Sequence, residues 1–199
     1  MHTDQPSLPP EARAPRHPYA RLTVRGRRRT LVGALVVLAV TLVGLAVTAP
    51  ALMTAAAPGG IVSWQLATSG EQVAAILADW GAEGRAAARA NLLVDLAFAP
   101  AYALVIGLVA VRLGVVLGRR RPAGGMADTT AWAALLAAVA DLAENALMLS
   151  VLAVGPSDGL ASATRTLALT KFALLGLALV LLLGLVALRW RARASGEGS

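Results

Sequence analysis

Six side chains in this sequence could do chemistry where water is scarce: Asp95, Tyr102, Asp141, Glu144, Asn145 and Lys171. Of 18 basic residues, Lys171 alone is a lysine. It lies inside TLALTKFALLGLALVLLLGLVAL, a run long enough to cross a bilayer. Arginine stays charged in any protein environment, whereas a buried lysine can lose its proton. Asp141 and Glu144 interrupt a second apolar run, and Asp95 sits near the start of a third. Ionisable groups at membrane depth are costly, so each marks a site by default. The chemistry open to such a set is ion pairing, binding of a polar ligand, proton transfer or acid/base catalysis.

Helical spacing gathers these residues onto faces. Asp141, Glu144, Asn145 and Met148 fall within an arc of about 100°. Ala134, Ala137 and Ala138 continue that face, and small residues admit a neighbouring helix closely. Asn91, Asp95, Ala99 and Tyr102 share a face of the preceding run, and Thr164, Ala168 and Lys171 a face of the last. The nine Leu and Val residues of 130–154 each favour insertion by about 0.3–0.6 kcal/mol, while a central Asp opposes it by about 2.5–3.5. That segment is a poor span alone and needs partners. Lys171 is expected to pair with Glu144 or Asp95, with Tyr102, Asn91 and Asn145 satisfying leftover groups. Structural glue between helices, a ligand, substrate or proton site, and a lysine that snorkels to the nearby helix end all remain open. Three acids against one base favour function. At least one carboxyl is protonated, or it meets a cation or ligand.

The elements that must hold these faces are four spans. The chain has 199 residues, 57% hydrophobic and 15% charged, which suits one polytopic membrane domain. Residues 1–30, with five prolines and seven arginines, form a basic tail expected to be disordered. The spans are predicted at 31–49, 91–117, 130–154 and 166–188, with Pro100 kinking the second. Residues 190–199 follow as a second tail. The first span is too long for a signal-peptide core and is expected to stay attached. Ser69 and Gln72 have capping-box spacing, and Val73, Ile76, Leu77 and Trp80 make one stripe that stops at Gly81. This predicts a short amphipathic helix. It either lies on the outer membrane surface with Trp80 as anchor or packs as a cap over the bundle. Arg119, Arg120 and Arg121, together with the arginines of both tails, place both termini and the 118–129 loop on the cytoplasmic side.

Several classes fall away. Cysteine is absent, and His2 and His17 are the only histidines, so thiol chemistry, haem held by paired membrane histidines and zinc sites built on Cys or His are excluded, leaving a metal held by carboxylates alone as a minor alternative. No cofactor or metal is expected. The net charge of +7 sits at the ends of apolar runs, which is a topology signal rather than a nucleic-acid footprint. The patch of Arg25, Arg27, Arg28 and Arg29 either orients the first span, the favoured reading, or binds anionic lipid. Asp95 and Asp141 would supply the two aspartates of an intramembrane protease, but their flanking sequences do not fit. No nucleophile elbow or phosphate-binding loop supports an enzyme.

Trp80–Arg85 (WGAEGR), Asp95 with Pro100 and Tyr102, Asp141-Leu142-Ala143-Glu144-Asn145, and Lys171-Phe172 together form a pattern. Over residues 70–175 it resembles a family of uncharacterised four-span bacterial membrane proteins with a D-x-x-E-N helix and a late membrane lysine. The chain departs from the pattern in Phe172, where tryptophan is expected, and in its long basic tail. The resemblance implies that Asp95, Asp141, Glu144, Asn145 and Lys171 form one site, and it implies no activity. The leading expectation is a binding or structural membrane protein whose cluster, in the outer half of the bilayer, takes a small polar or lipid-headgroup ligand. Proton-linked solute transport comes second and an intramembrane lipid enzyme third. The bilayer and that ligand are the expected partners, with homo-oligomerisation left open.

Overall fold

Thr23 starts the first long helix. Its hydroxyl accepts the Gly26 N–H at 3.1 Å, and α1 runs Val24–Thr48. The computed structural model describes residues 17–118, 122–194 and 196. Residues 1–16 and Arg119, Arg120 and Arg121 lie outside these. The tail boundary moves accordingly: Arg25–Arg29 are helical rather than part of a disordered tail. Arginine is a good helix former, and a helix begins at its cap rather than where lipid begins. Tyr19 is buried, and its hydroxyl donates to the Ala103 carbonyl at 3.0 Å. Burial pushes its phenol up to about 12, so it remains a neutral donor at physiological pH.

After a 3-10 turn at Ala49–Leu52 come α2 (Ile61–Gln65), α3 (Gly70–Val116), α4 (Ala123–Val154) and α5 (Asp158–Ala194). Each span is longer than its apolar run predicts, because polar turns at the ends stay helical. Ser157 Oγ accepts the Leu160 N–H at 3.3 Å, which sets the start of α5 well before residue 166. Pro100 leaves the backbone angles helical. The break in α3 is Gly81 instead, at φ 59°, ψ −157°, a region essentially closed to other residues.

Helices α1, α3, α4 and α5 are long and apolar enough to cross a bilayer, and no strand occurs among the described residues. The protein is an all-α, multi-pass membrane protein built as a four-helix bundle with a short amphipathic helix at one end. Neighbouring spans run antiparallel, as cross-helix contacts show. Gly44 packs on Val94, Gly114 on Ala127, and Gly184 on Met126. In α3 and α4, 44% of the apolar window is buried, against 11% in α1 and 17% in α5. The first pair is therefore the centre of the bundle, and the second pair turns most of its surface outward to lipid. Alanines fill the α3–α4 seam: Ala99, Ala134 and Ala137 are fully buried.

The end opposite the termini is closed by residues 49–80. Val73, Ile76, Leu77 and Trp80 bury their stripe against the bundle, so the amphipathic helix is a cap and Trp80 is not a lipid anchor. Trp80 Nε1 donates to the Leu52 carbonyl at 2.9 Å, and its ring meets Trp64 edge-on at 5.8 Å. Arg85 Nε donates to the Leu77 carbonyl at 2.8 Å, satisfying a C-terminal carbonyl of that helix. A Cβ on Gly84 would sit 2.6 Å from Trp80 Cβ, which cannot swing aside. Gly84→Ala is therefore expected to destabilise the folded protein by about 1–3 kcal/mol, read by denaturant unfolding in mixed micelles. A change below about 0.5 kcal/mol would mean the cap is not held by this close approach.

Candidate functional site

Three helices bring the polar set to one level because their spacings match. Counting inward from the capped end, Asp95 lies 14 residues past Gly81 (95 − 81), Asp141 13 before Val154 (154 − 141) and Lys171 13 past Asp158 (171 − 158). At 1.5 Å per residue each lies roughly 20 Å along its helix. On α5 the apolar run begins at Leu167, only one turn before Lys171. The cluster thus sits deep in the helices but close to the edge of the apolar zone.

Lys171 is its hub. Nζ donates to Asp141 Oδ1 at 2.8 Å and lies 2.8 Å from Glu144 Oε2. The Asp141 contact is a charge-assisted hydrogen bond. The Glu144 contact is a second ion pair of the same ammonium, made through Oε2, and it leaves Glu144 Oε1 without a hydrogen-bond partner among the described residues. The Phe172 ring lies 5.1 Å from Nζ and adds a cation–π contact. Lys171 is 6% exposed, so it does not snorkel to the helix end. Its partners are Asp141 and Glu144, both on α4, rather than Asp95 on α3.

Asp95 is half-buried and pairs elsewhere. Asn145 Nδ2 donates to Asp95 Oδ2 at 2.6 Å. A carboxylate without its proton can only accept, which orients the amide and leaves Asn145 Oδ1 buried without a donor among the described residues. Tyr102 donates its hydroxyl to Asp141 Oδ2 at 3.2 Å, its ring set by the edge of Phe98 at 5.4 Å. Thr164 Oγ1 is a further buried orphan. Asn91, expected to serve the cluster, instead donates to Thr48 Oγ1 at 2.7 Å and ties α3 to α1. That bond was not legible in the sequence, since nothing distinguished Thr48 within an apolar run.

The sequence-derived residues form two groups side by side: Tyr102, Asp141, Glu144 and Lys171 in one, and Asp95 with Asn145 in the other, the two meeting in the chain at Glu144-Asn145. The basic patch of Arg25, Arg27, Arg28 and Arg29 lies at the other end, in the first turns of α1. Among the described residues no group of three or more His, Cys, Asp or Glu is arranged to hold a metal ion. No family model, curated protein or solved structure matches the chain.

The arrangement can hold one more hydrogen-bond donor. Its unsatisfied atoms are the acceptors Glu144 Oε1 and Asn145 Oδ1. Buried polar atoms without partners are uncommon and costly. Removing the cation alone should be worse than removing it with an acid. Lys171→Met is expected to cost about 3–5 kcal/mol by stranding two buried carboxylates. Lys171→Met with Asp141→Asn should recover at least about 1 kcal/mol of that. The readout is unfolding in mixed micelles, and losses that simply add would show the two groups to be independent.

Proposed function

We propose that this is a multi-pass protein of the bacterial plasma membrane whose buried cluster binds a small polar or lipid-headgroup ligand rich in hydrogen-bond donors. The observation that carries this is the mismatch within the cluster. The cluster sets three carboxyls against one lysine, and two buried acceptors, Glu144 Oε1 and Asn145 Oδ1, have no donor among the described residues. A set that served only to tie helices together would be cheaper if neutral and fully paired. An ammonium or hydroxyl headgroup would supply what is missing.

Access from the capped end supports the same ligand class. A crevice of about 320 Å³ between α1 and the cap is lined by Leu45, Leu52, Gly60, Ile61 and Asn91. Asn91 lies one helical turn from Asp95, roughly 6 Å along the same face. Asp95 is the half-buried rim of the cluster, and the apolar zone of α5 starts a turn away. A lipid headgroup could therefore reach this level without crossing the hydrocarbon.

Two lipids discriminate the proposal. Phosphatidylethanolamine carries N–H donors, and phosphatidylcholine, with the same net charge, has none on its ammonium. Added to the purified protein in micelles, the first should raise the thermal transition by several degrees and the second should not. Glu144→Gln should abolish the difference while the protein stays monodisperse. Equal responses to both lipids, or a response unchanged in Glu144→Gln, would reduce the cluster to a structural tie.

Orientation follows from the arginines, which crowd the end bearing both termini. Both termini are then cytoplasmic and the cap faces outward. Gly125 and Gly159 are exposed, and a Cβ at either meets nothing within 4 Å, so each tolerates cysteine. In intact cells Gly159→Cys should react with an impermeant maleimide, and Gly125→Cys only after permeabilisation. The opposite pattern would invert the topology.

A further inference from the structure

We propose that the end bearing the termini holds a site for one anionic phospholipid, in the groove between α1 and α3. It is separate from the buried cluster and does not rest on the proposed ligand there. Three arginines from two helices meet at this groove: Arg27 and Arg28 in the first turns of α1, and Arg112 one turn before the end of α3. Beneath them the wall is apolar, made by Leu31, Leu108 and Val111, and the groove holds about 300 Å³.

Two features make this more than a charged membrane edge. The arginines come from segments far apart in the chain and converge because α1 and α3 run antiparallel, with Tyr19 packed against Gly107 just below. Their positive charge is also not neutralised locally. Arg28 and Arg112 are exposed and make no ion pair among the described residues. Asp128, the described acid at this end, belongs to α4 and does not line the groove. Arg27 Nε is held by the Leu22 carbonyl at 3.1 Å, which keeps its chain over the groove. The groove opens sideways, since Val24 and Val115 at its rim are 86% and 53% exposed. Arginines at the boundary of an apolar wall match a phosphate at headgroup level with an acyl chain below it. A free phosphate would use the arginines but not the wall.

The test counts lipids kept by the full-length protein in native mass spectra from micelles containing dioleoyl-phosphatidylglycerol or dioleoyl-phosphatidylcholine. One phosphatidylglycerol should be retained preferentially, and glycerol 3-phosphate should not displace it. Each neutralised arginine should weaken retention about five-fold. Arg28→Gln with Arg112→Gln should therefore nearly abolish it, while leaving Arg25, Arg27 and Arg29 to orient α1. Arg112→Lys should keep part of it. Arg189→Gln with Arg193→Gln removes the same charge at the same end, outside the groove, and should change nothing. Equal loss in both double variants would show only diffuse attraction and overturn the site. So would equal retention of the two lipids, or displacement by glycerol 3-phosphate. If the double variant does not stay folded, Arg112→Gln alone must still lose about five-fold, and no loss there refutes the proposal.

Discussion

A charge at membrane depth must find a partner, and the interior of this bundle is arranged around that requirement. Lys171 cannot leave the contact with Asp141 and Glu144, each 2.8 Å from Nζ, without stranding charge in a low-dielectric interior. The contact locks α5 to α4 in one register, because a slip of one turn, about 5.4 Å, would separate every pair. Tyr102 and Asn145 carry the same constraint across to α3. The carboxylates that make α4 a poor span by itself are the groups that hold it in the bundle. Insertion cost and assembly thus come from the same residues.

The capped end shows a second economy. In Trp80–Arg85 each functional position has a separate task. Trp80 covers the bundle and donates to Leu52, Gly81 turns the chain, Gly84 makes room for Trp80, and Arg85 satisfies the Leu77 carbonyl left open by the turn. The result seals the bundle above the cluster and lets α3 continue as a span immediately afterwards. Gly70 N–H donating to Asp158 Oδ1 at 2.8 Å joins the start of the cap to the start of α5. The polar cluster therefore lies below a packed lid, with the crevice at Asn91 beside it.

The outer helices serve differently. Helix α1 turns most of its surface outward and packs its other face along α3, with Gly44 on Val94, Thr48 bonded to Asn91, and Tyr19 just before the helix bonded to Ala103. Grooves run along the sides of this seam. The arginines of its first turns sit where one of those grooves meets the headgroup level.

The all-α, four-span architecture and the faces of the polar residues were legible in the sequence. Hydropathy measures the cost of lipid exposure, and helical spacing alone decides which residues share a face. Helix ends were not legible, because capping by Thr23 and Ser157 extends helices past the apolar runs. Whether the Val73–Trp80 stripe faced lipid or protein was equally open, since an apolar stripe fits either. Above all, the sequence determined that Lys171, Asp141, Glu144 and Asp95 would sit near one depth. Only the tertiary structure decided the pairing: Lys171 with both acids of α4, Asp95 with Asn145, and Asn91 with Thr48. Depth follows from counting along a chain, whereas partner choice depends on how helices rotate about their axes, which is set by packing between segments remote in sequence.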